Sequence, residues 1–479
     1  MFCIKHSAIY QCSFLIIASQ CLLLSASQTL SQNATILSAG VYKYVAIPTN
    51  PRKVSETEVA IKETISRDIQ TIKSEYSRSR AAYGGIQLWS FDADETEISL
   101  LKTKIQHDAH KADVVPNRNA AIAQDFLAVP PIVRGNATTK SVDILGMIET
   151  DRKAPEDLKI ISWAPGTKPP QHGWSFGYKF ERSSKPTFIY VIENGVASSH
   201  RDFYYMSWFY GPQVRLGTSD DSLDSSGHND WHGSCVASKA FGSFNGVARD
   251  STAIILKASR ALDDIVWAFS KALDHIVEND RQSKSVVVFA STSNNSESVS
   301  TARYPWPLVR STMRDMFDAD IAVIVPSGNF AQASSHDTHV DTYPALWESD
   351  SFPLIVAGAV NNVGQLAPFS QGPEHVTTWA PGVDVSCAKL DSVPKSGTSY
   401  STGMVSDLVA GLVAYFLSLQ TPPFTVKKGR TVYNIRNHLK SSGASWNRTY
   451  KGPRVVWNGL DGTNGLGGNV LHPWNITIA

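Results

Sequence analysis

This chain carries almost no excess charge of either sign. Lysine and arginine number 44 against 43 aspartates and glutamates, a formal net charge of +1 over 479 residues. That balance gives no footing for nucleic acid or an anionic membrane as a partner. Beyond the N-terminus there is no apolar run of about 18 residues, so nothing else in the sequence would hold the chain in a bilayer. Several signatures are missing as well. No G-x-S-x-G is present, which disfavours the nucleophile elbow of lipases and esterases. No H-E-x-x-H is present, which disfavours a zincin. No D-x-D-x-D loop offers a calcium site. Internal repeats and low-complexity tracts are absent too. What remains is ordinary globular composition, 42% hydrophobic and 18% charged, enough for one large or two unequal domains.

The N-terminus supplies the first positive signal. Lys5 and His6 precede an apolar run over residues 14–24, followed by Ser25-Ala26-Ser27. This is the charged, apolar, small-residue order of a secretory signal peptide, expected to span residues 1–27. Three of the five cysteines, Cys3, Cys12 and Cys21, would leave with it, and Cys235 and Cys387 would remain. Sequons at Asn33, Asn136, Asn294, Asn447 and Asn475 are candidate glycosylation sites on a secreted, extracellular protein.

Residues 28–153 differ in texture from the rest. Strand-like 40–48 and 85–91 flank residues 54–77, whose spacing predicts a helix with charges on one side. This reads as a small α+β unit ending near Asp151-Arg152-Lys153, a basic site open to proteolysis. From 154 to 479 the pattern is α/β. Apolar, β-branched runs at 187–192, 253–257, 285–290, 321–326 and 352–360 alternate with helical segments such as 263–278. Runs apolar on both faces and separated by helices predict a mostly parallel sheet covered on both sides. The glycine-rich stretch 459–468 lacks a strand–glycine–helix context and reads as a surface loop.

In an open α/β sheet, functional residues collect at the C-terminal ends of strands. Four positions there make one chemical set. Glu193 ends the 187–192 strand, and His232 opens "HGSCVASKAFG". Asn329 follows a strand in "AVIVPSGNF", and Ser399 stands at the mouth of a long apolar helix. Singly, each has an ordinary explanation as a solvated acid, an accommodated histidine, a turn or a helix cap. Together they would serve acyl transfer. His232 would take the Ser399 proton, and Glu193 would hold the imidazole tautomer. The Asn329 amide and the Ser399 N–H would receive the oxyanion, helped by the helix dipole.

These segments resemble the subtilisin-like serine proteases, particularly secreted fungal ones. The family's H-G-T-x-x-A appears as "HGSCVAS", its A-x-G-N as "PSGN" and its G-T-S-x-A-x-P as "GTSYSTG". "YPALWESDSFPLIVAGAV" and "FSQGPEHVTTWAPGVDV" are similar to two further family stretches, in the same order. The resemblance implies a three-layer α/β fold with a mostly parallel sheet, preceded by a small α+β inhibitory propeptide over 28–153 that is cut away between about 135 and 156. It implies a serine endopeptidase acting on proteins or peptides, with Glu193, His232 and Ser399 as the triad and Asn329 in the oxyanion hole. Ala290, Ser291 and Thr292 would lie on the substrate-binding strand. Calcium is common in the family.

The departures define a second reading, a pseudoprotease that binds without turning over. Glu193 stands where the family has Asp, Gly403 where it has Pro, and Ala290-Ser291-Thr292 where it reads S-x-G. Asp407 sits in an apolar helix where a small residue is usual. Asp202 and Asp230 are the other acids near the turn. Cys235 lies one helical turn past His232 with no further ligand types around it, so a metal pair is disfavoured. It is either a buried thiol or disulfide-bonded to Cys387, which an oxidising compartment permits.

Overall fold

A computed structural model describes residues 41–48, 54–65, 73–76, 87–106, 112–116, 140–142, 148–167, 176–197, 200–203, 232–258, 262–292, 306–333, 338–388 and 398–462. The expected signal peptide, the sequons at Asn33, Asn136, Asn294 and Asn475, and Asp230 lie outside them. The chain divides into two compact units, one of residues 1–75 and 87–119 and the other of 76–86 and 120–479.

The first unit is α+β. Strands β1 (Val41–Pro48), β2 (Lys73–Tyr76), β3 (Gln87–Asp94) and β4 (Ala112–Pro116) form a sheet of order β2-β3-β1-β4. Helices α1 (Val54–Thr64) and α2 (Glu95–Gln106) close an apolar core around Trp89, Phe91, Ile61 and Leu101. The helix expected over 54–77 stops at Thr64, and Lys73–Tyr76 is an edge strand. Pairing with β3 decides the matter there, since a short charged segment has too weak a propensity of its own to resist a sheet edge.

The second unit holds a small sheet of β5 (Lys140–Val142), β6 (Ile148–Asp151) and β7 (Tyr178–Glu181), all antiparallel. It straddles residue 153, where composition alone placed the end of the N-terminal unit. The ladder joining Ile148–Asp151 to Tyr178–Glu181, with Arg249 Nη1 2.8 Å from Asp151 Oδ2, ties residues 148–151 to the larger unit.

The larger sheet has eight strands. They are β8 (Phe188–Glu193), β9 (Thr252–Lys257), β10 (Ser285–Phe289), β11 (Ala322–Pro326), β12 (Ile355–Val360), β13 (Thr378–Pro381), β14 (Ser445–Asn447) and β15 (Arg454–Val456), in the order β14-β15-β13-β12-β11-β10-β8-β9. Every neighbouring pair is parallel except β14–β15. Side chains alternate between the two faces. Ile189, Val191, Val286, Val288 and Ile324 pack with helices α4 (His232–Phe241), α7 (Thr398–Ser418) and α8 (Thr431–Lys440), joined by α3 (Glu156–Ile161). The other face meets α5 (Leu262–Glu278) and α6 (Trp306–Asp318). There Phe289 stacks edge-on against Phe269, and the Tyr190 hydroxyl lies 2.9 Å from His275 Nδ1. Helix, sheet and helix make the three-layer α/β fold.

A half-buried histidine is expected to make the fold acid-sensitive. His438 in α8 lies against the rings of Phe416 and Phe424, with centroids 5.4 and 5.7 Å away, and burial lowers its pKa from 6.5 to about 4. Between those values the unfolded chain binds the proton and the folded chain does not. Stability therefore falls as pH drops from 6.5 toward 4, by at most about 3 kcal/mol. His438→Phe is expected to flatten this loss, read as urea midpoints at pH 7 and 4.5; equal losses in parent and variant would refute it.

Candidate active site

Three strand ends and two helix starts build the site. Glu193 is the last residue of β8 and falls on the α4 side by alternation from Ile189 and Val191. His232 is the first residue of α4. Glu193 Oε1 lies 3.1 Å from His232 Nδ1, and both side chains are almost wholly withdrawn from solvent. The other carboxylate oxygen, Oε2, accepts the Asn194 N–H at 3.0 Å. One carboxylate oxygen thus faces the imidazole nitrogen, and the other is fixed by a backbone donor.

The turn after Glu193 and the start of α4 fit through one close approach. Asn194 Oδ1 accepts the Gly233 N–H at 3.2 Å, a buried donor of the first helical turn that has no intrahelical acceptor. Gly195 has φ +126°, and a Cβ on Gly233 would come within 2.0 Å of the Gly195 carbonyl oxygen. The glycine after His232 therefore has a steric reason. Ser234 Oγ accepts the Ala197 N–H at 2.8 Å and continues the seam. Asp202 does not compete for the histidine. Its oxygens accept the Phe244 N–H at 2.7 Å and the Asn245 side-chain N–H at 2.9 Å, in a turn of its own.

Asn329 follows β11 in a turn built on Gly328, whose φ is +108°. A Cβ there would stand 2.1 Å from Gln371 Oε1, and the Gln371 N–H donates to the Gly328 carbonyl at 3.1 Å. Gln371 Nε2 in turn reaches the His339 carbonyl and Asp341 Oδ1, both at 2.8 Å. Gln371 is thus the residue that shapes the asparagine turn. Sequence reasoning passed over it, and over Asn194, because neither carries reactive chemistry; Asn194 beside Gly195 was the one legible hint. Ala290, Ser291 and Thr292 follow the end of β10, with Ala290 and Thr292 buried.

Ser399 is the second residue of α7; its side chain lies outside the described residues. Its helix is placed by Gly403 one turn on, where a Cβ would meet Val236 Cγ1 at 3.3 Å and the Ala290 carbonyl at 3.4 Å. Gly403 thus sits between the helix that begins at His232 and the strand end at Ala290. One turn further along, Asp407 is completely buried, and neither carboxyl oxygen has a hydrogen-bond partner. Cys235 and Cys387 are joined in a disulfide. Asn447 is exposed at the start of the β14–β15 connection. Calcium, which the family resemblance allows, meets no group of three or more His, Cys, Asp or Glu side chains among the described residues. No described helix is long and apolar enough to cross a membrane.

A parallel sheet that brings a strand-end carboxylate onto a helix-start histidine, with an asparagine turn two strands away, is the frame of a serine-type hydrolase. The subtilase (Peptidase S8) family model matches residues 184–450. The chain belongs to the subtilase family, whose members are serine-type peptidases. It is 26% identical over 320 residues to subtilisin-like protease 2 of Trichophyton rubrum, covering 65% of this chain and 68% of that protein. The protein of the same name from Trichophyton tonsurans is 26% identical over 321 residues, with the same coverage. A crystal structure of a cold adapted subtilisin-like serine proteinase is 19% identical, with a TM-score of 0.48, and covers 64% of this chain and 98% of that one.

Proposed function

We propose that this subtilase is a secreted serine endopeptidase that cleaves peptide bonds through an acyl-enzyme on Ser399. The observation that carries the reading is the 3.1 Å approach of Glu193 Oε1 to His232 Nδ1. With Nδ1–H donated to Glu193, the free Nε2 takes the proton of the Ser399 hydroxyl as its oxygen attacks the scissile carbonyl. The Asn329 amide and the Ser399 backbone N–H receive the oxyanion. His232 then gives its proton to the leaving amine, and water repeats the sequence to free the acid. Ala290 to Thr292 pair with the substrate backbone as an added strand. Secretion rests on the N-terminal 27 residues, and the small α+β unit acts as an intramolecular inhibitor. The cut that releases it falls before Lys140, because β6 belongs to the sheet it shares with β7.

A serine-directed fluorophosphonate tests the reading. Secreted, propeptide-free protein is expected to hydrolyse casein and to carry the label on Ser399 alone. Mass spectrometry of the same sample is expected to place the mature N-terminus between about 120 and 140. Neither turnover nor label would leave the pseudoprotease, a binding protein on a protease fold; a first residue near 28 would end the inhibitor proposal.

A further inference from the structure

Asn329 is 5% exposed, and its Oδ1 has no hydrogen-bond partner among the described residues. An amide meant to receive an oxyanion must be aimed by something. Here the aim falls to the backbone turn that carries it. Gln371, fully buried, grips that turn twice. Its N–H donates to the Gly328 carbonyl at 3.1 Å, and so fixes the planar peptide that joins Gly328 to Asn329. Its side chain lies against the other side of Gly328, where a Cβ would stand 2.1 Å from Gln371 Oε1. The Ala331 N–H, which donates to the Phe369 carbonyl at 3.1 Å, keeps the two segments side by side.

The far end of the side chain is anchored. Gln371 Nε2 donates to the His339 carbonyl and to Asp341 Oδ1, both at 2.8 Å. Two donors facing two acceptors decide which way the carboxamide points; turned over, Oε1 would meet both acceptors. The Gly372 N–H donates to the Thr338 carbonyl at 3.0 Å and holds the same segment through the backbone.

We propose that Gln371 is a positioning residue of the oxyanion site, a strut anchored on Asp341 and the His339 carbonyl that sets the Gly328 turn and thereby aims the Asn329 amide. It rests on the protease reading above and deepens it. Gln371 touches the turn and not the substrate, so it acts only through Asn329. A hydrogen bond inside a fold largely replaces one to water. Packing alone would therefore be served as well by an apolar side chain of this volume; the polar anchor adds a fixed direction. The loss on removing the strut cannot exceed the loss on removing the asparagine it aims.

A double-mutant cycle on the mature protein, read by steady-state hydrolysis of a chromogenic peptide, tests this. Gln371→Met, of similar length, is expected to lower kcat by about 100-fold with KM within about twofold. In an Asn329→Ala background the same change is expected to cost less than about threefold, because the aimed group is gone. Asp341→Asn, whose amide oxygen still accepts, keeps most of the rate, and Asp341→Ala falls toward Gln371→Met. Equal losses in both backgrounds, or a kcat untouched by Gln371→Met, overturn the proposal. If Gln371→Met fails to fold, the isosteric Gln371→Glu, which lacks the donors, carries the same cycle. NMR of protein labelled with nitrogen-15 at asparagine gives a readout independent of turnover. The Asn329 side-chain amide, assigned by its loss in Asn329→Ala, is expected to shift in Gln371→Met; an unmoved resonance overturns the strut. A parent that neither turns over nor takes the serine label refutes the protease reading instead, and the resonance still decides whether Gln371 sets Asn329.

Discussion

Ser399→Ala is expected to lower kcat by about a millionfold, and Glu193→Ala by about ten-thousandfold, each with little change in KM. The two losses differ in origin. The serine is the nucleophile, so its removal leaves only binding and the oxyanion donors. The glutamate keeps the imidazole oriented with Nδ1 protonated; without it the ring turns, but some correctly placed histidine persists. The more discriminating variant is Glu193→Asp. The present site is set for glutamate, with one oxygen 3.1 Å from His232 Nδ1 and the other 3.0 Å from the Asn194 N–H. Aspartate is shorter by one methylene, about 1.5 Å of reach. It can keep the Asn194 contact or the histidine contact, and the expected cost is about 100-fold. Steady-state kinetics on a chromogenic peptide would measure all three. A Glu193→Ala protein within tenfold of the parent would remove Glu193 from the mechanism, and a more active Glu193→Asp would mean that the glutamate is a handicap.

How much of this was readable in the chain follows from what each segment depends on. The central strands were legible because a parallel strand buried on both faces must be apolar throughout, as in Val286-Val287-Val288. Glu193 at the end of β8, His232 at the start of α4 and Asn329 just after β11 stand at the element ends where the sequence pattern put them. Lys73–Tyr76 was not legible, since its conformation is set by a partner strand and not by its own pattern. The pairing of β6 with β7 was not legible either, because the partner strand lies some 30 residues on. Gln371 and Asn194 act only through backbone geometry, and nothing in their local sequence announces that. Asp407 was visible as an oddity in an apolar helix. That it stands within the field of Glu193 and His232 needed the crossing of α4 and α7.

The disulfide shows how a covalent link can matter without holding anything visibly out of place. Cys235 and Cys387 are separated by 152 residues, so the loop they close in the unfolded chain is long. Losing that constraint is expected to cost about 5 kcal/mol, nearly all of it through the unfolded state. In the folded protein the same two segments are already joined otherwise. Lys239 Nζ donates to the Ser386 carbonyl at 3.0 Å, and the Ala388 N–H donates to Ser238 Oγ at 3.0 Å. Cys235 is fully buried beside Met404 and Val236. Removing the sulfur–sulfur bond therefore leaves α4, and His232 at its head, where it was. The double variant Cys235→Ala/Cys387→Ala is expected to melt about 10 °C lower while keeping its kcat at temperatures where it stays folded. Burial also predicts the kinetics of reduction, because a reductant reaches the bond only when the region opens. Calorimetry at one scan rate, with peptide hydrolysis at 20 °C on the same samples, tests both halves. An unchanged melting temperature would mean that the hydrogen-bonded seam alone sets the stability; a lost kcat in the folded variant would mean that the disulfide positions His232.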